Sequence, residues 1–301
     1  MPHEEGPGVP PPTWSLIRDV ATEGESIGLS SLWLVDHLLW RGDPWMREAS
    51  LGISEALPYG VKECWTTLAA VAAVTERIRI GSLVSCTAYR NPVLLAKMAD
   101  NVDELSGGRL VLGLGAGDYL AEHEMIGVPT DRPVARFEEA LSIIVPLLRT
   151  GQVDFDGEFY RAREAELRPR RLNTNGPPVM IGSIGHGPRM MRLIAKYADV
   201  WNAWALSQTP DQLPALYDAV DSGCHTHGRD PNTLARALGV PVVLGDSPLD
   251  WPGVVRGSDQ EIAERLSLIA GDRVDEIHVI LFPTNAATVS RLGDIIDLMA
   301  R

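Results

Sequence analysis

Cysteine is scarce: Cys64, Cys86 and Cys224 are the three in 301 residues, and no two are close in sequence. An odd, scattered set excludes a disulfide framework and a cysteine-rich zinc site, and makes the reducing cytoplasm the expected compartment. Positive charge is also scarce, with 27 Lys and Arg against 40 Asp and Glu and a net charge of -13. Without a basic cluster, nucleic acid is not an expected partner. Long apolar runs are missing. The longest, around residues 68–74, is too short to span a bilayer. The acidic, proline-rich N-terminus has no apolar segment of the kind that opens a secretory signal. No membrane partner is expected.

What is present is an alternation. Short β-rich runs stand at 31–37, 78–84, 110–117, 178–183, 199–204, 238–245 and 276–282. Several are apolar throughout, as when both faces of a strand are buried. Amphipathic helical stretches lie between them at 14–26, 133–148, 189–197, 210–221, 258–270 and 286–299. This order predicts a parallel sheet covered by helices. Residues 1–301 read as a single domain, with an inserted hairpin and loop near 150–177, where the run 154–171 breaks the alternation. Seven strands are visible where a closed (β/α)8 barrel needs eight.

Familiar motifs fail on spacing. Gly113-Leu-Gly-Ala-Gly117 follows a strand, but Asp118 stands where the dinucleotide fingerprint needs its third glycine. Gly185-His-Gly187 fails likewise at Met190. The P-loop and the nucleophile elbow are absent. Position is more informative. In a barrel the C-terminal ends of the strands carry the active face. Asp36, His37, Ser85, Cys86, Gly115, Gly117, Asp118, the turn 182–187 and Trp204 all fall there. The turn Gly182, Ser183, Ile184, Gly185, His186 joins a strand to a helix; phosphate binding and a plain tight turn are both open readings. His37 beside Asp36 is a candidate acid–base group. Ser106-Gly-Gly-Arg109, at the opposite face, reads as a structural turn. Cys224, His225 and His227 read as a solvated loop after a helix rather than a metal site, so no metal is expected.

Taken together, Gly28-Leu-Ser-Ser-Leu-Trp-Leu-Val-Asp-His37, residues 75–81 and 89–97, Asp103-Glu-Leu-Ser-Gly-Gly-Arg-Leu-Val-Leu-Gly-Leu-Gly-Ala-Gly117, and residues 136–140 and 197–202 resemble the luciferase-like monooxygenase family. The likeness is strongest to the branch that uses the deazaflavin coenzyme F420. The resemblance implies a (β/α)8 TIM barrel and an oxidoreductase moving a hydride between F420 and a small organic substrate. With FMN as the alternative cofactor it implies a monooxygenase fed by a separate flavin reductase. A non-catalytic flavin-binding protein is a further alternative; a metal-dependent barrel hydrolase finds too few ligands at the strand ends. A homodimer is compatible with the reading.

By position, the resemblance makes His37 and Asp118 catalytic. Asp118 stands where sugar-phosphate dehydrogenases of the family carry a glutamate. Asp36, Leu83, Val84, Ser85, Gly115, Gly117, Gly182, Ser183, Ile184, Gly185 and His186 would bind the cofactor. Leu83 and Val84 match a bulge backing the ring system, often with a cis peptide, and 182–187 matches a phosphate-binding turn. The resemblance also puts a strand ahead of helix 14–26. Residues 1–5 look like its tail and 6–12 like the loop that follows, so the strand is expected upstream of Met1. The edges at 31–37 and 276–282 would then be open and the chain prone to aggregate.

Overall fold

Thr13 begins the first regular element: its hydroxyl accepts the Leu16 N–H and caps helix α1 (Trp14–Ser26). The computed structural model describes residues 1–4, 11–40, 59–169, 175–183, 187–204, 210–245 and 253–300. After α1 come β1 (Ser31–Leu34), β2 (Leu39–Trp40), β3 (Tyr59–Gly60), α2 (Cys64–Val74), β4 (Arg79–Ser82) and β5 (Ser85–Cys86). Then follow α3 (Pro92–Leu105), β6 (Leu110–Gly115), α4 (Leu120–Ile126) and α5 (Pro133–Thr150). An antiparallel hairpin, β7 (Gln152–Asp156) with β8 (Arg161–Glu166), stands apart from the main sheet. The second half continues with β9 (Val179–Gly182), α6 (Pro188–Tyr197), β10 (Val200–Trp204), α7 (Leu213–Thr226) and β11 (Ala235–Val243). It ends with α8 (Asp259–Ala270), β12 (Glu276–Phe282) and α9 (Ala286–Met299).

The strands expected from the sequence pair in parallel along the path β1-β4-β6-β9-β10-β11-β12. This is a near-closed barrel of the expected class. Gly81 stands opposite Val111 and Ser85 opposite Leu114. Three residues of the β4–β5 strand therefore face two of β6, a bulge that carries Leu83 and Val84. The Leu83–Val84 peptide is cis, the conformation the resemblance implied there.

Two apolar clusters follow from the two faces of the strands. The larger joins helix residues such as Leu68, Leu95 and Ile144 to Leu112 and Ile181 of the sheet. Each such fully buried side chain is worth about 1.5–3 kcal/mol. The smaller holds Leu83, Val111, Met180 and Ala237, with Trp33, Val84, Val200 and Trp204 against it. Its members come from the strands and the bulge alone, so it fills the inside of the barrel.

Among the described residues no strand stands between β12 and β1, where the sequence reading puts the first strand. Side chains bridge the seam instead. Glu276 accepts from the hydroxyls of Ser30 (3.0 Å) and Ser31 and from Arg79 (2.9 Å). Burial works to raise its carboxyl, but the His278 ring 3.9 Å away, the Ser31 bond and the Arg79 charge hold it down at about 2. The Trp33 and His278 rings lie 4.2 Å apart across the same gap. Part of the β1 edge expected to be open is covered by residues 1–4. The Met1 ammonium donates to the Trp33 carbonyl (3.2 Å), and the Val35 N–H donates to His3 Nε2 (3.0 Å). His3 Nδ1–H then donates to the Met1 carbonyl (2.9 Å). That tautomer is the neutral ring, and burial accordingly lowers the His3 pKa.

Helix α7 corrects the sequence reading. It runs to Thr226 rather than 221, and Cys224 lies buried in its last turn, not in a loop. Gly223 lies inside the helix, packed flush on Met191; the chain turns off only after His227, with Gly228 at a φ of 72°. Among the described residues no cluster of His, Cys, Asp or Glu could hold a metal ion, and no helix is long and apolar enough to cross a membrane.

Candidate active site

The C-terminal strand ends place the candidate residues at one mouth of the barrel. Beyond β1 the chain delivers Asp36 inward, 2% exposed. Both its carboxylate oxygens accept from Arg90, at 2.6 and 3.0 Å, in a two-point pair. Arg90 also donates to Glu63 (2.8 Å), whose carboxylate caps α2 through the N–H groups of Trp65 and Thr66. Burial raises the Asp36 pKa, and the Arg90 bonds pull the other way. Burial equally opposes the charge on Arg90, but Asp36 and Glu63 raise its pKa overall.

His37, the next residue, turns to a different carboxylate. Its Nδ1 lies 2.8 Å from Glu122 Oε2. Glu122 sits on α4 and is 1% exposed. It also accepts from the Leu38 N–H, the Leu39 N–H (2.8 Å) and the Tyr89 hydroxyl (2.5 Å). Burial works to lower the His37 pKa, but Glu122 first, and then the charges of Asp118 and Glu4, raise it. Glu122 moves the opposite way: burial raises its pKa, yet His37, Tyr89 and Leu38 hold it below the usual carboxylate range. Asp118 itself is exposed in the loop between β6 and α4.

The bulge supplies an apolar side chain at the mouth. A Cβ on Gly115 would come 2.7 Å from Val84 Cγ2, and one on Gly182 would come 3.0 and 3.2 Å from its two methyls. Val84 is thus held between the bare backbones of two strand ends. Leu83 turns into the barrel interior. Ser85 is fully buried, and its hydroxyl accepts the Trp65 indole N–H (3.1 Å) from α2. Gly117 has a φ of 84° and lies flush against Cys86 and His123. The Ser183 N–H donates to the Asn202 carbonyl (3.0 Å), joining the ends of β9 and β10. Ile184, Gly185 and His186 lie outside the described residues.

The structure thus brings Asp36, His37, Leu83, Val84, Gly115, Asp118, Gly182 and Ser183 to one end of the barrel. Two surface cavities lie nearby, the second of them lined by Tyr89 and Arg90, which bond Glu122 and Asp36. One of about 520 Å³ separates α5, α6 and the hairpin and is lined by Arg132, Glu138, Arg189 and Arg192. The other, of about 360 Å³, is bounded by Tyr89, Arg90, Arg136 and Tyr160. Neither is lined by His37 or Asp118, so the strand ends remain the better candidate on chemical grounds.

Sequence reasoning missed Glu122, Arg90 and Tyr89. The signal for Glu122 was misleading: on α4 the polar Glu122 and His123 are buried while Leu120 is 54% exposed. An amphipathic reading would turn that helix the wrong way round.

The family model for luciferase-like monooxygenases matches residues 1–250. The chain is 33% identical to a phthiodiolone/phenolphthiodiolone dimycocerosates ketoreductase of Mycobacterium sp. (strain JLS), over 83% of this chain and 66% of that protein. It is 30% identical to an F420-dependent hydroxymycolic acid dehydrogenase of Mycobacterium tuberculosis, over 75% of this chain and 58% of that protein. It therefore spans less than two thirds of the length of these relatives. Among solved structures, an F420-dependent secondary alcohol dehydrogenase in complex with an F420–acetone adduct superposes with a TM-score of 0.75 at 15% identity, covering 94% of each chain.

Proposed function

The chain belongs to the luciferase-like monooxygenase family, and from that premise we propose that it is an oxidoreductase transferring a hydride between coenzyme F420 and a ketone or secondary alcohol. The observation that carries the reading is His37, held by Glu122 at the barrel mouth beside the Val84 bed. Relatives at about the same identity are a ketoreductase and an F420-dependent dehydrogenase, whose names fit the same chemistry run in either direction.

The residues at the mouth fit a flat ring system. An apolar side chain flanked by two bare strand ends offers a face without projecting neighbours, and side chains on Gly115 or Gly182 would disturb it. Leu83 and Val84 would back the ring. Ser85 and Asp36 would support the segments on either side of it, and Gly117 would keep the loop before Asp118 close. Gly182, Ser183, Ile184, Gly185 and His186, leading into α6, would take the phosphate. When bound, the coenzyme supplies or accepts the hydride. His37 would give a proton to the carbonyl oxygen in ketone reduction and would take one from the alcohol in oxidation. Asp118 adds negative charge that favours the protonated ring. The three cysteines are free and buried, which suits a cytoplasmic enzyme.

Fluorescence titration tests the cofactor. F420 should bind at micromolar dissociation constant or tighter, about −8 kcal/mol or better, and support turnover of a panel of secondary alcohols and ketones. A tenfold preference for FMN would turn the reading to a monooxygenase fed by a separate reductase. Tight F420 binding with no turnover would turn it to a non-catalytic flavin-binding protein.

A further inference from the structure

We propose that Glu122 is the positioning residue of this site: as a buried carboxylate it fixes the proton of His37 on Nδ1, so that proton exchange takes place at Nε2. The catalytic consequence rests on the hydride-transfer reading; the proton arrangement does not.

The argument is one of hydrogen-bond capacity. A carboxylate offers about four acceptor sites, two on each oxygen. Glu122 meets three donors and the Nδ1 of His37. The Leu38 and Leu39 N–H groups share Oε1, and Tyr89 and His37 share Oε2. The two backbone groups can only donate. Three donated bonds, two of them from backbone N–H groups that cannot reverse direction, favour the charged form of a carboxylate over the neutral one. The carboxylate is therefore ionised in spite of its burial, and its lowered pKa agrees. An ionised carboxylate cannot donate to a ring nitrogen, so Nδ1 carries the hydrogen. Which nitrogen of a histidine is protonated is set by the partner of the other one, and here that partner is fixed.

Among the described residues, the other charged or titratable groups around His37 act differently. Asp118, in the loop after β6, and Glu4, in the N-terminal segment, raise its pKa through charge alone. Asp36, its neighbour in the chain, is paired with Arg90. Tyr89 shares the Glu122 oxygen, and the Tyr119 ring meets the imidazole edge-on at 6.2 Å. Of these, Glu122 is the one bonded to Nδ1. A role limited to holding the Leu38 and Leu39 backbone would affect folding but not the ring's tautomer or its titration.

Two-bond proton–nitrogen NMR of the ring-labelled protein, without coenzyme, reads both quantities. The neutral form of His37 should carry its proton on Nδ1 in the wild-type protein. In Glu122→Gln the midpoint should move down and the neutral form should become a mixture of tautomers. In Tyr89→Phe the carboxylate loses a competing donor and concentrates on the imidazole, so the midpoint should move up. With coenzyme and a turned-over alcohol, Glu122→Gln should lose roughly 10-fold or more in kcat, with KM little changed and the pH profile displaced to lower pH. A wild-type proton on Nε2, or a His37 midpoint unmoved in Glu122→Gln, overturns the proposal. If Glu122→Gln does not fold, the wild-type tautomer and the sign of the Tyr89→Phe shift decide it. Loss of F420 binding with the NMR result intact would overturn the proposed function alone.

Discussion

Gly115→Ala should destabilise the protein, and Val84→Ala should cure it. Gly115 is not in the left-handed region, so an alanine there suffers no backbone strain. The cost is steric: the new methyl would lie 2.7 Å from Val84 Cγ2, where carbon contacts settle at about 3.5–4.0 Å. Valine is branched at Cβ and stiff at χ1. Swinging it away drives it onto the Gly182 backbone, where its methyls already lie 3.0 and 3.2 Å from the place a Cβ would take. Such overpacking costs about 1–3 kcal/mol. Val84→Ala removes both methyls and costs about 1 kcal/mol for a half-buried side chain. In that background Gly115→Ala meets nothing. It should be neutral, or stabilising by roughly 0.5–1 kcal/mol through the restricted unfolded chain. The pair should then show a coupling of about 1–3 kcal/mol in urea unfolding of the four proteins. F420 affinity should follow the same cycle, falling in Gly115→Ala and recovering in part in the double variant. A Gly115→Ala cost that is the same with and without Val84, within about 0.5 kcal/mol, refutes the wedging of Val84 between the two strand ends.

Two further predictions concern His37 and Arg109. His37→Ala should slow turnover by about 10²–10⁴ with coenzyme affinity little changed, measured by steady-state kinetics and titration on one substrate; wild-type rates would remove it from the chemistry. Arg109 donates to the carbonyls of Ala72, Thr75, Ile78 and Ser106 and to the Thr75 hydroxyl, at 2.6–2.9 Å. Arg109→Ala should cost about 3 kcal/mol through these lost charged bonds, with coenzyme affinity unchanged in whatever fraction folds; a melting temperature within about 2 °C of wild type would contradict it.

The parts of the fold that were legible are those where local chemistry and tertiary packing agree. Residues 276–282 and 286–299 were found to the residue, and in the structure Asn285 and Thr288 form a reciprocal cap at the start of the second. The turn at 106–109 was read as structural, and Arg109 there ties β6 to the end of α2 and the start of β4. The bulge at Leu83 and Val84 was not legible from periodicity, because an extra residue shows itself only against the register of β6. It came from resemblance. The seam between β12 and β1 was read as two open edges, since pattern reasoning sees strands and not the side chains of Glu276, His278 and His3 that reach across or cover them. The centre of the candidate site was half legible: a histidine beside a carboxylate at a strand end drew attention, but the carboxylate that engages it lies on another element.

That last difference separates the roles of two neighbouring residues. Asp36 and Glu122 are both buried acids, and burial pushes both towards neutrality. Asp36 meets a guanidinium, which keeps its charge at any accessible pH, so the pair it makes with Arg90 holds the same state throughout a reaction. Glu122 meets an imidazole, whose charge comes and goes near neutral pH. Its field favours the charged ring, while the backbone donors of Leu38 and Leu39 keep it ionised when the ring is neutral. A catalytic proton needs a group of the second kind, anchored by one of the first. Exchanging the partners, with a permanent cation on Glu122 and a histidine on Asp36, would leave the strand end just as well satisfied in hydrogen bonds but with its titratable group on the wrong carboxylate. The sequence order Asp36-His37 therefore matters less as an adjacent pair than as a branching point, from which one side chain secures the strand and the other, in the proposed reaction, would carry the proton.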